Sequence, residues 1–286
     1  MFGDALLMGV PDIDRTDFFL CLGGNPLVSN GSIMTAPDMR GRLKALRARG
    51  GKLVVVDPRR TETAAAADQH VFIRPGTDAL LLLALVHVIF AERLARPGRI
   101  GAFLDGLADL ERAARDFSPE ATAAATGIAP EAVRTLAREL AASRGVVYGR
   151  LGVCTQQFGG TGAWLVVALN AILGRLDEPG GMMFTTPAVD LEPLTRAIGF
   201  DIKFGRYQSR VRGLPEFGGE LPVVTLAEEI DTPGDGQVRA LICSAGNPVL
   251  STPNGGRLDR ALATLDFMVA IDPYINETTR HAHVIL

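Results

Sequence analysis

The stretch Asp17-Phe18-Phe19-Leu20-Cys21-Leu22-Gly23-Gly24-Asn25-Pro26 is an unbroken apolar run closed by turn residues, the pattern of a strand buried on both faces. Lys52-Leu53-Val54-Val55-Val56 repeats that pattern and ends in Asp57-Pro58-Arg59-Arg60. Between them, residues 38–49 have helical spacing, open on an Asp and are followed by Gly50-Gly51, so they predict a helix with its own start and stop signals. Strand, helix and strand together read as a parallel βαβ unit. The expected fold class is α/β, with parallel sheets flanked by helices.

Working outward, residues 70–74 predict a third strand, and Pro75-Gly76-Thr77-Asp78 leads into an apolar helix from residue 79 to about 94, with Thr77 or Asp78 as N-cap. Further helices are expected over 100–117, 130–143 and 163–173. A strand over 146–151 runs into a glycine-rich turn at 152–160. Residues 182–236 are dense in Pro, Gly and charge with little periodicity, which reads as a long surface excursion; order returns at 238–244. The expected division is a first Rossmann-like domain over 1–181 and a second, partial one over 182–286 that carries the excursion.

With 286 residues, 47% of them hydrophobic and 21% charged, the chain can bury a sizeable core, and its length favours two domains over one. Lys plus Arg is 29 against 32 for Asp plus Glu, a net charge of −3 without a basic block, so no nucleic-acid partner is expected. The cysteines Cys21, Cys154 and Cys243 form no CxxC pair, which argues against a zinc or iron–sulfur site within this stretch and suits a reducing, cytoplasmic setting. The apolar runs 79–91 and 163–174 fall short of the roughly 20 residues that cross a bilayer, so no membrane span is expected. The N-terminus has neither a basic n-region nor paired arginines, and no export signal is expected.

An internal repeat carries the functional reading. Leu20-Cys21-Leu22-Gly23-Gly24-Asn25-Pro26 is matched by Ile242-Cys243-Ser244-Ala245-Gly246-Asn247-Pro248. Val54-Val55-Val56-Asp57-Pro58 is matched by Val269-Ala270-Ile271-Asp272-Pro273, Glu62-Thr63 by Glu277-Thr278, and His70-Val71 by His283-Val284. In open parallel sheets ligands bind beyond the carboxyl ends of strands, where these turns fall. A Gly-Asn-Pro turn lets backbone approach a ligand closely and offers an amide with donor and acceptor. A carboxylate at the next strand end accepts two hydrogen bonds side by side, and guanine presents such a pair of donors where adenine does not. Asp57 and Asp272 are therefore expected to meet two guanine-containing ligands, with Thr77 at a helix start suited to a phosphate or another polar group. Taken singly, Asp-Pro and Asn-Pro turns are more often structural; their repetition is what favours a site. Neither copy carries GxGxxG or GxxxxGK[ST].

In order, the motifs Gly24-Asn25-Pro26, 57–64, 74–79, 152–160 and 173–181, then Gly246-Asn247-Pro248, Asp272-Pro273 and Glu277-Thr278, resemble the molybdopterin oxidoreductases of the dimethyl sulfoxide reductase and formate dehydrogenase type. The likeness runs over essentially the whole chain. It implies the central part of a larger two-electron redox enzyme whose cofactor is bis-molybdopterin guanine dinucleotide with molybdenum or tungsten. It further implies that Gly24, Asn25 and Pro26 lie along one half of the cofactor with Gly76, Thr77 and Asp78, and that Gly246, Asn247 and Pro248 with Glu277 lie along the other. Asp57 and Asp272 would meet the guanine ends, Gly152 and Gln156 the pterin, with Gln157 as the alternative to Gln156. Arg59, like Arg60, would meet the diphosphate or solvate its turn.

Family enzymes also have an N-terminal region, often with an iron–sulfur cluster, that leads to the metal ligand, and a C-terminal domain over the cofactor. This chain opens close to the first Gly-Asn-Pro strand and ends at Leu286. The remainder is expected from the same polypeptide or a partner chain, together with a small-molecule redox substrate and an electron-transfer partner. No catalytic residue and no metal ligand is assigned here. Cys21 is a poor ligand because Cys243 matches it inside a strand, and Cys154 is a weak one. His281 and His283 would share a strand face without a third ligand, and His87 falls within an apolar helix. Two other readings stay open: a non-catalytic scaffold of the same fold, as in a large subunit of respiratory complex I, and a module for another guanine nucleotide.

Overall fold

The buried runs read from the sequence pair as strands. In the computed structural model, which describes residues 7–198 and 204–286, the chain divides into two units, Met1–Asp190 and Leu191–Leu286. The first contains β1 (Gly9–Pro11), β2 (Phe18–Leu22), β3 (Lys52–Val56), β4 (Gln69–Val71), β5 (Gly145–Gly149) and β6 (Met182–Phe184). Its main sheet is parallel, in the order β4-β3-β2-β5. Every residue of β2 is buried, as a central strand covered on both faces requires. β6 pairs antiparallel with β1, so residues 182–184, assigned by the sequence reading to the second domain, belong to this unit's secondary sheet.

Helices α1 (Met39–Ala48), α2 (Asp78–Ala91), α3 (Pro130–Ala142) and α4 (Gly159–Ile172) surround that sheet. α2 and α4 are apolar nearly all round, which is the composition of a buried helix. Asn170, the polar interruption in α4, is fully buried. Its Oδ1 accepts from Val147 N–H at 3.0 Å, and its Nδ2 donates to the Val147 carbonyl at 2.8 Å. One amide thereby satisfies an edge residue of β5 as a neighbouring strand would. The helix expected over 100–117 is instead a 3-10 turn at Gly98–Phe103 and a helix at Leu107–Ala114, broken by Gly106 at φ 78°. A positive φ cannot be absorbed inside a helix.

The second unit contains β7 (Phe204–Gln208), β8 (Pro215–Phe217), β9 (Ala240–Ser244), β10 (Phe267–Ile271) and β11 (Val284–Ile285). The last three form a parallel sheet in the order β11-β10-β9, the same arrangement as β4-β3-β2. Helices α5 (Leu226–Asp231) and α6 (Gly255–Leu262) share a core with Met268 and Leu265. β9 alternates exposed and half-buried residues, so only one face of this sheet is packed.

The stretch read as an aperiodic excursion holds the β7–β8 hairpin and α5. Buried charge organises it in place of apolar periodicity. Glu216, Glu228 and Glu229 are 1%, 6% and 6% exposed and pair with Arg206, Arg212 and Arg210 respectively. No described helix is long and apolar enough to cross a membrane.

Candidate functional site

β2 and β5 run side by side to the pair Leu22 and Gly149, and the site forms where both chains turn away. Gly23 adopts φ 55°, and a Cβ on it would lie 2.7 Å from the Gly152 Cα. A Cβ on Gly152 would in turn lie 2.6 Å from the Gly23 Cα. These two glycines are therefore required by backbone against backbone, with Gly152 N–H donating to the Gly23 carbonyl at 3.0 Å. Beside them opens a cavity of about 210 Å³ lined by Gly24, Asn25, Pro26, Ser32, Tyr148 and Arg150 among others.

Asn25 does not present a free amide to this cavity. Its Nδ2 donates to Glu62 at 2.7 Å, and its Oδ1 accepts from Thr63 Oγ1 at 2.7 Å. Thr63 Oγ1 also accepts from Leu27 N–H at 3.1 Å. The three residues form a latch that ties the Gly-Asn-Pro turn to the loop after β3, and the hydrogen bond from the Asn25 amide holds the Glu62 carboxyl below its usual range. Asp57, at the end of β3, is 9% exposed. Its Oδ1 accepts from Arg59 N–H at 2.8 Å, and among the described residues Oδ2 has no hydrogen bond. Arg59 is mostly exposed, with its guanidinium 4.0 Å from Glu62.

At the start of α2, Thr77 takes the N-cap position, but its hydroxyl donates to the Arg74 carbonyl at 2.7 Å and does not cap the helix. Gly76 adopts φ 83° with open space around it. Asp78 is 5% exposed and accepts from Gln156 Nε2 at 2.8 Å. Burial raises the Asp78 pKa against the lowering effect of that bond, and the Asp57 charge raises it further. Gln156 also donates to the Gly152 carbonyl at 2.6 Å, while its Oε1 is buried without any donor. Gln156 thus bridges the turn after β5 to the start of α2, and the side chain of Gln157 makes no hydrogen bond among the described residues.

Sequence reasoning missed Tyr148 and Arg150. Tyr148 is 3% exposed; its hydroxyl donates to the Gly31 carbonyl at 2.7 Å, and burial raises its pKa so that it stays a neutral phenol. Arg150 donates from Nη2 to Ser32 Oγ at 2.7 Å, while its Nε is buried with no acceptor. The signal was present: Arg150 is the first charged residue after the apolar strand Gly145–Gly149, on the carboxyl edge where parallel sheets bind ligands.

The second unit reproduces the latch and the Asp turn. Asn247 Nδ2 donates to Glu277 at 2.7 Å, Asn247 Oδ1 accepts from Thr278 Oγ1 at 2.7 Å, and Val249 N–H donates to that hydroxyl at 3.1 Å. Pro248 opens a helical turn as Pro26 does. Asp272 Oδ1 accepts from Tyr274 N–H at 2.9 Å, and its Oδ2 accepts from Asn276 Nδ2 at 3.4 Å. Cys21 and Cys243 each lie against the carbonyl of the following glycine, Gly24 and Gly246. Burial pushes the Cys21 thiol up to about 12 and raises Cys243 as well, so neither is a thiolate. Among the described residues no group of three His, Cys, Asp or Glu side chains is placed to hold a metal ion.

One expected landmark is corrected. Asp57 N–H donates to Val71 and Asp272 N–H to Leu286, so Ile285, not His283, occupies the place of His70. His283 stands at the position of Asp68. Asp68 accepts from Leu53 N–H through Oδ2, and His283 accepts from Met268 N–H through Nδ1. The His-Val likeness is a coincidence of two residues along a strand, a slip that keeps the same face and so leaves no trace in the apolar pattern.

Comparisons with known proteins find relatives over nearly the whole chain. A model of the molybdopterin oxidoreductase family matches residues 3–286. The molybdopterin-containing subunit of arsenate respiratory reductase from Shewanella sp. strain ANA-3 is 26% identical over 96% of this chain and 36% of its own length. The F420-dependent formate dehydrogenase subunit alpha of Methanocaldococcus jannaschii is 26% identical over 99% and 42%, and the assimilatory nitrate reductase catalytic subunit of Bacillus subtilis 28% identical over 96% and 40%. The chain thus spans about two fifths of the length of these relatives. Acetylene hydratase from Pelobacter acetylenicus shares the fold, with a TM-score of 0.78 at 20% identity over 98% of this chain and 42% of that one. With both strand-end turns built alike and the family match running through both, this chain belongs to the molybdopterin oxidoreductase family.

Proposed function

We propose that the chain is the cofactor-holding section of a molybdenum or tungsten oxidoreductase, seating the two guanine-nucleotide ends of a bis-molybdopterin guanine dinucleotide at its two repeated strand ends. The observation that carries this reading is the duplicated latch with an Asp at the next strand end, Asp57 in one copy and Asp272 in the other. One carboxylate oxygen in each already accepts a turn N–H, which fixes the group's orientation. Carboxylate oxygens have lone pairs left over, so each Asp can still receive the ring N–H and exocyclic amine of guanine side by side. The buried orphans in the first site, Gln156 Oε1 and Arg150 Nε, fit a ligand that offers both a donor and an acceptor.

When bound, such a cofactor supplies two-electron redox chemistry at its metal. The residues of this chain bind and orient it: Gly23 and Gly152 allow close backbone approach, the latches fix the turns, and Gln156 holds Asp78 at the start of α2. In this reading the metal's protein ligand, a small-molecule redox substrate and an electron-transfer partner engage the rest of the polypeptide or a partner chain. The three unpaired cysteines suit a reducing, cytoplasmic setting. The test is acid oxidation of the full natural protein with parallel metal analysis. Two pterins and two guanine nucleotides per molybdenum or tungsten atom are expected, and folded protein devoid of pterin contradicts the reading in favour of a scaffold.

A further inference from the structure

We infer that Arg150 is the positioning cation of the first strand-end site, binding the phosphate oxyanions of the ligand there. The inference deepens the cofactor reading and rests on it. Arg150 lines the cavity of about 210 Å³ beside Gly24, Asn25 and Pro26. Its Nη2 is held by Ser32 Oγ at 2.7 Å while its Nε is enclosed without an acceptor. A buried donor left unpaired is uncommon and marks a place for a missing partner. No carboxylate lies within ion-pair distance of it among the described residues, whereas Arg42, Arg47, Arg99 and Arg138 are each paired with one. The charge facing the cavity is therefore uncompensated, and the fork of an arginine matches an oxyanion in two-point geometry.

The side chain is also held close. A Cβ on Gly24 would lie 3.3 Å from Arg150 Cβ and Cγ, so the glycine leaves room for the arginine stem. In the second unit a Cβ on Gly246 would meet only its own turn, at 3.7 Å and beyond. Arg150 comes from the end of β5, which pairs with β2 in the sheet. The first repeated turn thus packs against a fixed cation.

The test uses the full natural protein prepared without cofactor and titrated calorimetrically with inorganic pyrophosphate and with GDP. Arg150→Gln is expected to weaken pyrophosphate binding at the tight site at least tenfold and to reduce its salt dependence, with circular dichroism and melting temperature unchanged. Arg150→Lys should recover part of the loss by restoring the charge without the fork. Asp57→Asn should leave pyrophosphate binding intact and remove discrimination between GDP and ADP. Unchanged pyrophosphate affinity in Arg150→Gln, or a wild-type protein that does not bind pyrophosphate, overturns the role of Arg150. Failure of Asp57→Asn to alter base preference counts against the guanine reading alone.

Discussion

The turns after β2 and β9 have the same bonds but different surroundings. Both use an Asn–Glu–Thr latch, both place Cys against a glycine carbonyl, and both put a left-handed residue immediately after the strand. In the first copy that residue is Gly23, pressed onto Gly152 of the neighbouring turn. In the second it is Ala245, at φ 51°. The difference teaches which features belong to the turn and which to its neighbours. The latch and the left-handed residue are intrinsic, since they occur twice. The glycine and Arg150 depend on the neighbouring β5 and the turn after it.

The largest effect that separates the copies is expected from Gly23→Ala. Left-handed strain on a residue with a side chain adds to forced contact with the Gly152 backbone, a cost of about 3 kcal/mol read by denaturant unfolding. A cost below about 1 kcal/mol would break the claim that backbone packing requires this glycine. Thr63→Val and Thr278→Val come next. Each threonine is fully buried and serves both an Asn side chain and a backbone N–H, so each loss is expected to cost about 2 kcal/mol in its own unit. Unequal costs would mean the latches are alike in form only. Ala245→Gly should act in the opposite direction, stabilising the second unit by about 1 kcal/mol through relief of its positive φ.

Acid should act on Glu216 and Asp78 in opposite senses. Bonding to Arg206 holds Glu216 at about 2, below the ordinary 4.5. Its contribution is therefore present above about pH 4.5 and lost as pH falls toward 2. Burial raises Asp78, so its contribution is greatest at low pH and is lost as pH rises through its folded value. Hydrogen exchange across an acid titration should show the β7–β8 hairpin loosening in that window. Substituting Glu216→Gln should abolish that part of the pH dependence.

The strands β2 and β3, the helix between them and the two strand-end turns were legible because apolar runs and Gly, Asn, Asp and Pro punctuation are local signals. The hairpin after residue 204 was not, because Glu216 and Arg206 hold it by charge and leave no apolar alternation to read. Register was also hidden. His283 resembles His70 as a letter, but only the pairing of β10 with β11 places it opposite Met268. Arg150 escaped notice because the predicted strand over 146–151 ran through it, one residue past the true end of β5 at Gly149. Asn25 was recognised, but its saturation by Glu62 and Thr63 depends on a loop 37 residues away in the chain.

The central claim is that two repeated carboxylates read two guanine ends. It is tested most directly by counting the nucleotide released by acid from the full natural protein carrying Asp272→Ala. One guanine nucleotide per metal atom is expected where the wild type yields two. Two retained guanine nucleotides at full metal occupancy would contradict the account.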